Sequence, residues 1–140
     1  MTIDFSTFNW LAIAAAAFAT FMLGGLWYTA LFGKLWARLN NYTDDKLKAT
    51  HALRPPPVFF GTLLVCYTLM SLFMAILVRG TGSENWCTGA VLGLVVWSIA
   101  QTVNVSYQIA SDKPIKAWLV DAGYQAIYFP MTAMILAAWR

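Results

Sequence analysis

Residues 58–78 have the sequence VFFGTLLVCYTLMSLFMAILV, in which no side chain is charged. A helical run of about 20 apolar residues matches the roughly 30 Å hydrocarbon core of a bilayer. The run lacks the alternation of barrel strands, and a helix satisfies its own backbone hydrogen bonds in lipid. The stretch therefore predicts a transmembrane helix.

Three further segments have the same character. Residues 8–32 and 86–109 contain no charge, and residues 117–139 contain only Asp121. Only 11% of the 140 residues are charged, whereas about a quarter are charged in a typical soluble domain. We therefore predict an all-α fold, a four-transmembrane-helix bundle forming a single membrane domain over residues 1–140. Its helices are expected at about 8–32, 58–78, 86–109 and 117–139.

Positive charge is concentrated in two of the loops. Residues 33–57 hold five Lys or Arg side chains and residues 110–116 hold two, whereas the opposite side holds only Arg79 and Arg140. Cytoplasmic loops carry an excess of Lys and Arg. We therefore expect a multi-pass protein of the inner (plasma) membrane, with both of these loops cytoplasmic and both termini outside.

The loop 33–57 is the one sizeable segment outside the four apolar runs. Thr43 precedes Asp44 and Asp45, a pattern typical of an N-cap and acidic first turn. A short amphipathic helix on the membrane surface is therefore expected here, ahead of the prolines at 55–57. The basic residues of the chain are not interleaved with stacking aromatics, so the predicted partner is the lipid bilayer and not nucleic acid.

Polar side chains recur along one face of the third and the fourth apolar segment. A short loop joins these segments, so they are expected to run antiparallel. That arrangement places Gln101 near Gln125, Asn104 level with Asp121, and Ser98 near Tyr128. We call this predicted interface the polar seam. Its residues are Ser98, Gln101, Asn104 and Gln108 in the third segment, and Asp121, Tyr124, Gln125, Tyr128 and Thr132 in the fourth.

The polar seam has two interpretations. Polar groups are costly in hydrocarbon, so these side chains turn inward and either hydrogen-bond between helices or line a small-ligand or proton site. Asp121 is the leading single candidate: we expect it to pair with Lys116 or Lys113, to change its protonation when buried, or to reach the membrane surface as an interfacial charge. Gly89 and Gly93 predict a close helix contact, and Cys66 and Cys87 are expected to remain unpaired.

Two groups of residues carry a resemblance to a known family. Aromatic residues at the end of the first apolar segment are expected to anchor it at the membrane interface: Trp27, Tyr28 and Trp36. Together with their neighbours they resemble the opening signature of the small membrane proteins catalogued as domain of unknown function 1761, and a second group resembles its closing signature. The resemblance implies a four-helix membrane protein without an established activity. The opening group is Gly25, Leu26, Trp27, Tyr28, Leu31, Phe32, Gly33, Lys34 and Trp36; the closing group is Lys113, Pro114, Trp118, Asp121, Gly123 and Tyr124.

The chain carries few residues suited to catalysis. It has one His, no HExxH motif and no paired carboxylates within the apolar segments, so we expect no enzyme activity, no catalytic residue, no metal and no cofactor. The prediction is an accessory or structural subunit or membrane scaffold, with other membrane subunits or further copies of itself as partners. The alternative is a small transporter, a channel, or a lipid- or small-ligand-binding protein that uses the polar seam.

Overall fold

The computed structural model describes residues 4–111 and 114–139, in which it has six α-helices and no strand. The predicted all-α fold class is thereby confirmed. Each long helix begins where the sequence provides a start signal; for example, the Asn9 side chain accepts a hydrogen bond from the Ala12 amide. The helices are α1 (Trp10–Leu26), α2 (Gly33–Leu39), α3 (Asp44–Leu53), α4 (Pro56–Gly80), α5 (Trp86–Ala110) and α6 (Ile115–Ala138).

The loop 33–57 is more ordered than predicted. The expected surface helix is present as α3, with Thr43 accepting from the Lys46 amide at its start. Helix α2 was not predicted, and the prolines were expected to lie outside the following helix. Instead, α4 begins at Pro56, because a proline in the first helical turn has no hydrogen bond to lose.

Within the described residues, three helices are long and apolar enough to cross a membrane, which is typical of a membrane protein. They are residues Trp10–Leu31, Pro56–Gly80 and Trp86–Ala110, with mean hydropathies of 1.7, 2.2 and 1.5. Helix α6 is of similar length, 24 residues, but is not among them. Its polar side chains, including Lys116, Asp121 and Gln125, lower its apolar character.

The position of α6 accounts for its composition. It packs against α1, α4 and α5, and it also touches α2. Nine of its residues are buried, compared with three on α5, which packs mainly on α6. A helix surrounded by protein can carry polar groups that find partners in its neighbours.

The core of the bundle divides into two halves. Towards the end that holds the first residues of α1, small and aliphatic side chains pack without polar groups; these include Ala12, Ile13, Met74, Val78 and Ala133. Towards the other end, near α2, the interior becomes aromatic and polar. Cys66 and Cys87 are free, as predicted.

Candidate functional site

The third and fourth apolar segments meet through a cluster of side-chain amides. Gln101 Nε2 donates a hydrogen bond to Gln125 Oε1 at 2.7 Å, and Asn104 Nδ2 points to the same oxygen at 3.4 Å. Gln101 is only 7% exposed. The predicted juxtaposition of Gln101 with Gln125 is confirmed. We call Gln101, Asn104 and Gln125 the amide seam.

Two glycines bring α5 against α6 on the far side of the amide seam from the α5–α6 loop. A β-carbon added at Gly93 would lie 2.6 Å from the Phe129 carbonyl oxygen, and one added at Gly89 would lie 2.6 Å from the Ala133 carbonyl oxygen. Both distances are shorter than real side-chain contacts. The predicted close contact is confirmed, and it leaves no space for a ligand at that level.

Some polar atoms at this interface lack partners. Gln101 Oε1, Gln108 Oε1 and Trp118 Nε1 are buried without a hydrogen bond. An orphaned buried polar atom costs about 1–3 kcal/mol unless water satisfies it. The net stabilisation from the amide seam is therefore modest.

The predicted proximity of Ser98 to Tyr128 is wrong. Ser98 is exposed and donates to the Leu94 carbonyl of its own helix at 2.8 Å. Ser98 and Asn104 each lie three residues, about 60°, from Gln101, but in opposite directions around the helix. Asn104 is on the side that meets Gln125 of α6, so Ser98 is turned away from α6.

Asp121 is turned toward α2 and the residues that follow α1, and not toward α5. The Tyr28 hydroxyl donates to Asp121 Oδ1 at 2.7 Å, and Trp36 Nε1 donates to the same oxygen at 3.0 Å. The predicted pairing with Lys116 is wrong, because five residues turn about 140° around a helix and direct the two side chains apart. Lys113 lies outside the described residues. We call Tyr28, Trp36 and Asp121 the carboxylate cluster.

Aromatic rings surround the carboxylate cluster. The Tyr28 ring meets the Tyr124 ring at 5.4 Å and the Trp36 ring at 5.9 Å, both nearly edge to face. Tyr124 in turn packs on Tyr128 at 4.7 Å. Trp27 Nε1 donates to the Val120 carbonyl of α6 at 3.1 Å. The three predicted interfacial anchors therefore form internal contacts with α6.

A local change of backbone positions these aromatic residues. Residues Trp27–Leu31 form a π-helical turn, closed by a bond from the Phe32 amide to the Trp27 carbonyl at 2.8 Å. Gly33 follows, and a β-carbon there would overlap the Tyr28 carbonyl, so only glycine lets α2 start at this point. Lys34 is exposed. Single π-helical turns are frequent at functional sites.

A buried hydroxyl pair continues this polar side of α6 into the bundle. Tyr124 Oη donates to the Thr20 carbonyl at 2.9 Å, and the Thr20 and Thr132 hydroxyls are 3.1 Å apart with both residues fully buried. Gly24 lies beneath the Tyr124 hydroxyl, where a β-carbon would be at 2.9 Å. Sequence reasoning missed Thr20, although a lone hydroxyl in an alanine-rich run was the available signal.

The side chains of the predicted polar seam thus separate into two sites on neighbouring parts of the α6 surface. Gln101, Asn104 and Gln125 stay together, whereas Asp121, Tyr124 and Tyr128 face α1 and α4. Among residues 4–111 and 114–139, no three His, Cys, Asp or Glu side chains are grouped as metal ligands would be. The second site combines one carboxylate with neutral hydrogen-bond donors and aromatic rings.

Comparison with known proteins yields one match. No curated protein and no solved structure matches the chain. Residues 11–137 match a family described as proteins of unknown function, DUF1761, and this range contains both groups of signature residues. The chain therefore belongs to the DUF1761 family.

Proposed function

We propose that α1, α4, α5 and α6 all cross the membrane and form a four-helix bundle. The support for α6 is its central position: its neighbours shield it on several sides, so it needs less apolar surface than a helix facing lipid. The side chains buried along almost its whole length, from Ala117 to Ala137, fit a span of 24 residues.

The proposed orientation places both termini outside the plasma membrane and the loops 33–57 and 110–116 in the cytoplasm. The distribution of Lys and Arg supports it. In a variant whose two native cysteines are replaced, we expect a membrane-impermeant maleimide to label Glu84→Cys, but not Ala49→Cys, on intact cells. Labelling of Ala49→Cys alone would show that the orientation is the reverse of the proposed one.

Within that membrane we propose an accessory or scaffold role, without enzyme activity. The observation that carries this role is the free side of α5. It packs mainly on α6, and along its other side Val91, Leu94, Val95, Ile99 and Val103 are all close to half exposed or more. Such a continuous apolar surface fits contact with lipid or with another membrane subunit.

A photo-crosslinking amino acid at Ile99 tests the accessory role in cells. Ile99 is 63% exposed on α5, and Phe73, which is 60% exposed on α4, is the matched control. The role predicts a discrete protein adduct from position 99 and none from position 73. Lipid adducts alone from both positions would contradict it. An adduct with a second copy of the chain would identify a homo-oligomer as the assembly.

The alternative of a transporter, channel or ligand-binding protein built on the predicted polar seam has less support. Gln101 donates a hydrogen bond to Gln125 across the interface, and Gly89 and Gly93 bring the two helices into backbone contact. A pathway between α5 and α6 would have to separate both.

A further inference from the structure

We propose that Asp121 and the aromatic rings around it form a binding site for a hydrophobic monovalent organic cation, a quaternary ammonium or phosphonium. The site lies on the α1 side of α6, at the end of the bundle that α2 covers. It is distinct from the amide seam and does not depend on the accessory role proposed above.

The carboxylate cluster combines one acidic side chain with neutral hydrogen-bond donors. Asp121 is half-buried in an apolar helix, and its partners are two neutral donors, the Tyr28 hydroxyl and the Trp36 indole. A carboxylate in such surroundings normally pairs with a cation. Lys34 on α2 and Lys116 on α6 are exposed and are not its partners. Among the described residues, therefore, no cation compensates the negative charge of the site.

The two carboxylate oxygens of Asp121 differ in the hydrogen bonds that they accept. Both the Tyr28 and the Trp36 bonds end on Oδ1. Among the described residues no side chain or backbone group donates to Oδ2. The two donors hold the carboxylate in one orientation, which presents Oδ2 to an incoming group.

The surroundings of the carboxylate select the type of cation. Aromatic side chains, rather than the several oxygen ligands that a metal ion prefers, make up the surroundings of Asp121. The Trp36 and Tyr124 rings stand at 80° and 69° to the Tyr28 ring, so the rings of this cluster are not coplanar. A cation over the face of Trp or Tyr is attracted by the ring quadrupole. A quaternary ammonium or phosphonium fits both features, since its alkyl or aryl groups contact the rings while its charge pairs with Oδ2.

The site lies close to the loop 33–57 at the polar end of the bundle. Asp121 lies less than two helical turns from the start of α6 at Ile115, and Trp36 lies on the loop segment itself, in α2. Tyr28, Trp36 and Asp121 are each partly exposed. A ligand can therefore reach the carboxylate from the loop side without crossing the apolar core.

Binding of tetraphenylphosphonium to the purified protein in lipid nanodiscs tests the proposal. At pH 8 we expect saturable binding at one site per chain. Asp121→Asn should raise the Kd about tenfold or more, because it removes the ion pair and leaves only the ring contacts. Trp36→Phe keeps an aromatic ring but frees the carboxylate, and should raise the Kd by a smaller factor. Asp45→Asn, on the exposed surface of α3, should leave the Kd unchanged.

A second measurement on the unaltered protein guards against misfolding of the variants. Dicyclohexylcarbodiimide, a hydrophobic reagent for carboxyl groups, should modify the peptide containing Asp121, and tetraphenylphosphonium should slow that modification. Absence of binding by the wild type, equal binding by folded Asp121→Asn, or modification that tetraphenylphosphonium does not slow would overturn the proposal.

Discussion

Two polar sites lie only four residues apart on α6, at Asp121 and Gln125, yet they are built differently. Gln125 meets a matching amide from α5, and glycines on α5 close the interface beside it. Asp121 meets a hydroxyl and an indole from α1 and α2, with aromatic rings around it. One site pairs neutral groups with each other, whereas the other holds a charge that neutral groups only orient.

The comparison shows that polar residues in an apolar helix do not share one role. The neighbouring helix decides the role, through the size of its side chains and the hydrogen bonds that they return. Helix α5 presents Gly89 and Gly93 and comes close enough to exclude other molecules, whereas the end of α1 presents Trp27 and Tyr28, whose rings hold the backbones apart. Each prediction below separates the two sites by changing one of them.

The largest expected effect is from Gly93→Ala. The added β-carbon would lie 2.6 Å from the Phe129 carbonyl oxygen and would also meet the backbone of Pro130, so α5 must move away from α6. Overpacking of this kind costs about 3 kcal/mol in the free energy of unfolding. The control is Gly61→Ala on α4, where nothing lies within 4 Å; it should stabilise by about 0.5–1 kcal/mol, since Ala favours a helix over Gly. Thermal unfolding in detergent compares the two, and equal shifts would show that the α5–α6 contact is not tight.

Tyr28→Phe should have the next largest effect. It removes the hydroxyl that donates to Asp121 at 2.7 Å and keeps the ring. A hydrogen bond to a carboxylate contributes about 1.5–3 kcal/mol, so we expect a loss of that size in the free energy of unfolding. Tyr42→Phe is the matched control, because its hydroxyl bonds the neutral Thr50 hydroxyl near the surface, and about 0.5–1 kcal/mol is expected. A loss for Tyr28→Phe no larger than the control would mean that the carboxylate cluster does not hold Asp121.

A double-mutant cycle on Gln101→Met and Gln125→Met measures the amide seam directly. The coupling energy should be about 0.6 kcal/mol and no more than about 2 kcal/mol, as for other hydrogen bonds between membrane helices. A second cycle, on Gln101→Met and Tyr28→Phe, should give additivity within about 0.5 kcal/mol, because the two residues bond different side chains of α6, Gln125 and Asp121. Strong coupling in the second cycle would show that the two sites act energetically as one.

Ser98→Ala should have the smallest effect. Its hydroxyl is exposed and bonds its own helix, so the change in the free energy of unfolding should stay within about 0.5 kcal/mol. Thr20→Val is the informative counterpart, because the Thr20 hydroxyl is buried 3.1 Å from that of Thr132, and a loss of about 1 kcal/mol is expected. A larger loss in the free energy of unfolding for Ser98→Ala than for Thr20→Val would contradict the position of Ser98 on the exposed face of α5.

The amide seam was predictable because it depends on local rules. Two apolar segments joined by a short loop run antiparallel, so residues at equal distance from the loop, such as Gln101 and Gln125, come level. The small residues Gly89 and Gly93 identified the contact face in the same way. Composition alone was enough for the all-α class, since long uncharged runs leave little else possible in a bilayer.

The carboxylate cluster was not predictable by the same rules. Its members come from three helices, and the rotation of α6 that turns Asp121 toward Tyr28 is set by packing against all its neighbours. The sequence analysis placed Trp27, Tyr28 and Trp36 at the membrane surface, because aromatic residues at helix ends usually lie there. The π-helical turn and α2, which bring them inward, have no clear sequence pattern.

Accessibility of single cysteines tests the contrast between the two sites most directly. Asp121→Cys and Gln101→Cys would each be placed in a chain with Cys66 and Cys87 replaced, and inverted membrane vesicles would be treated with a membrane-impermeant maleimide. We predict that position 121 is labelled from the loop side, whereas position 101, which is 7% exposed within the amide seam, is protected. Labelling of position 101 at the rate of position 121, or protection of both, would contradict the distinction between a closed amide seam and an open carboxylate cluster.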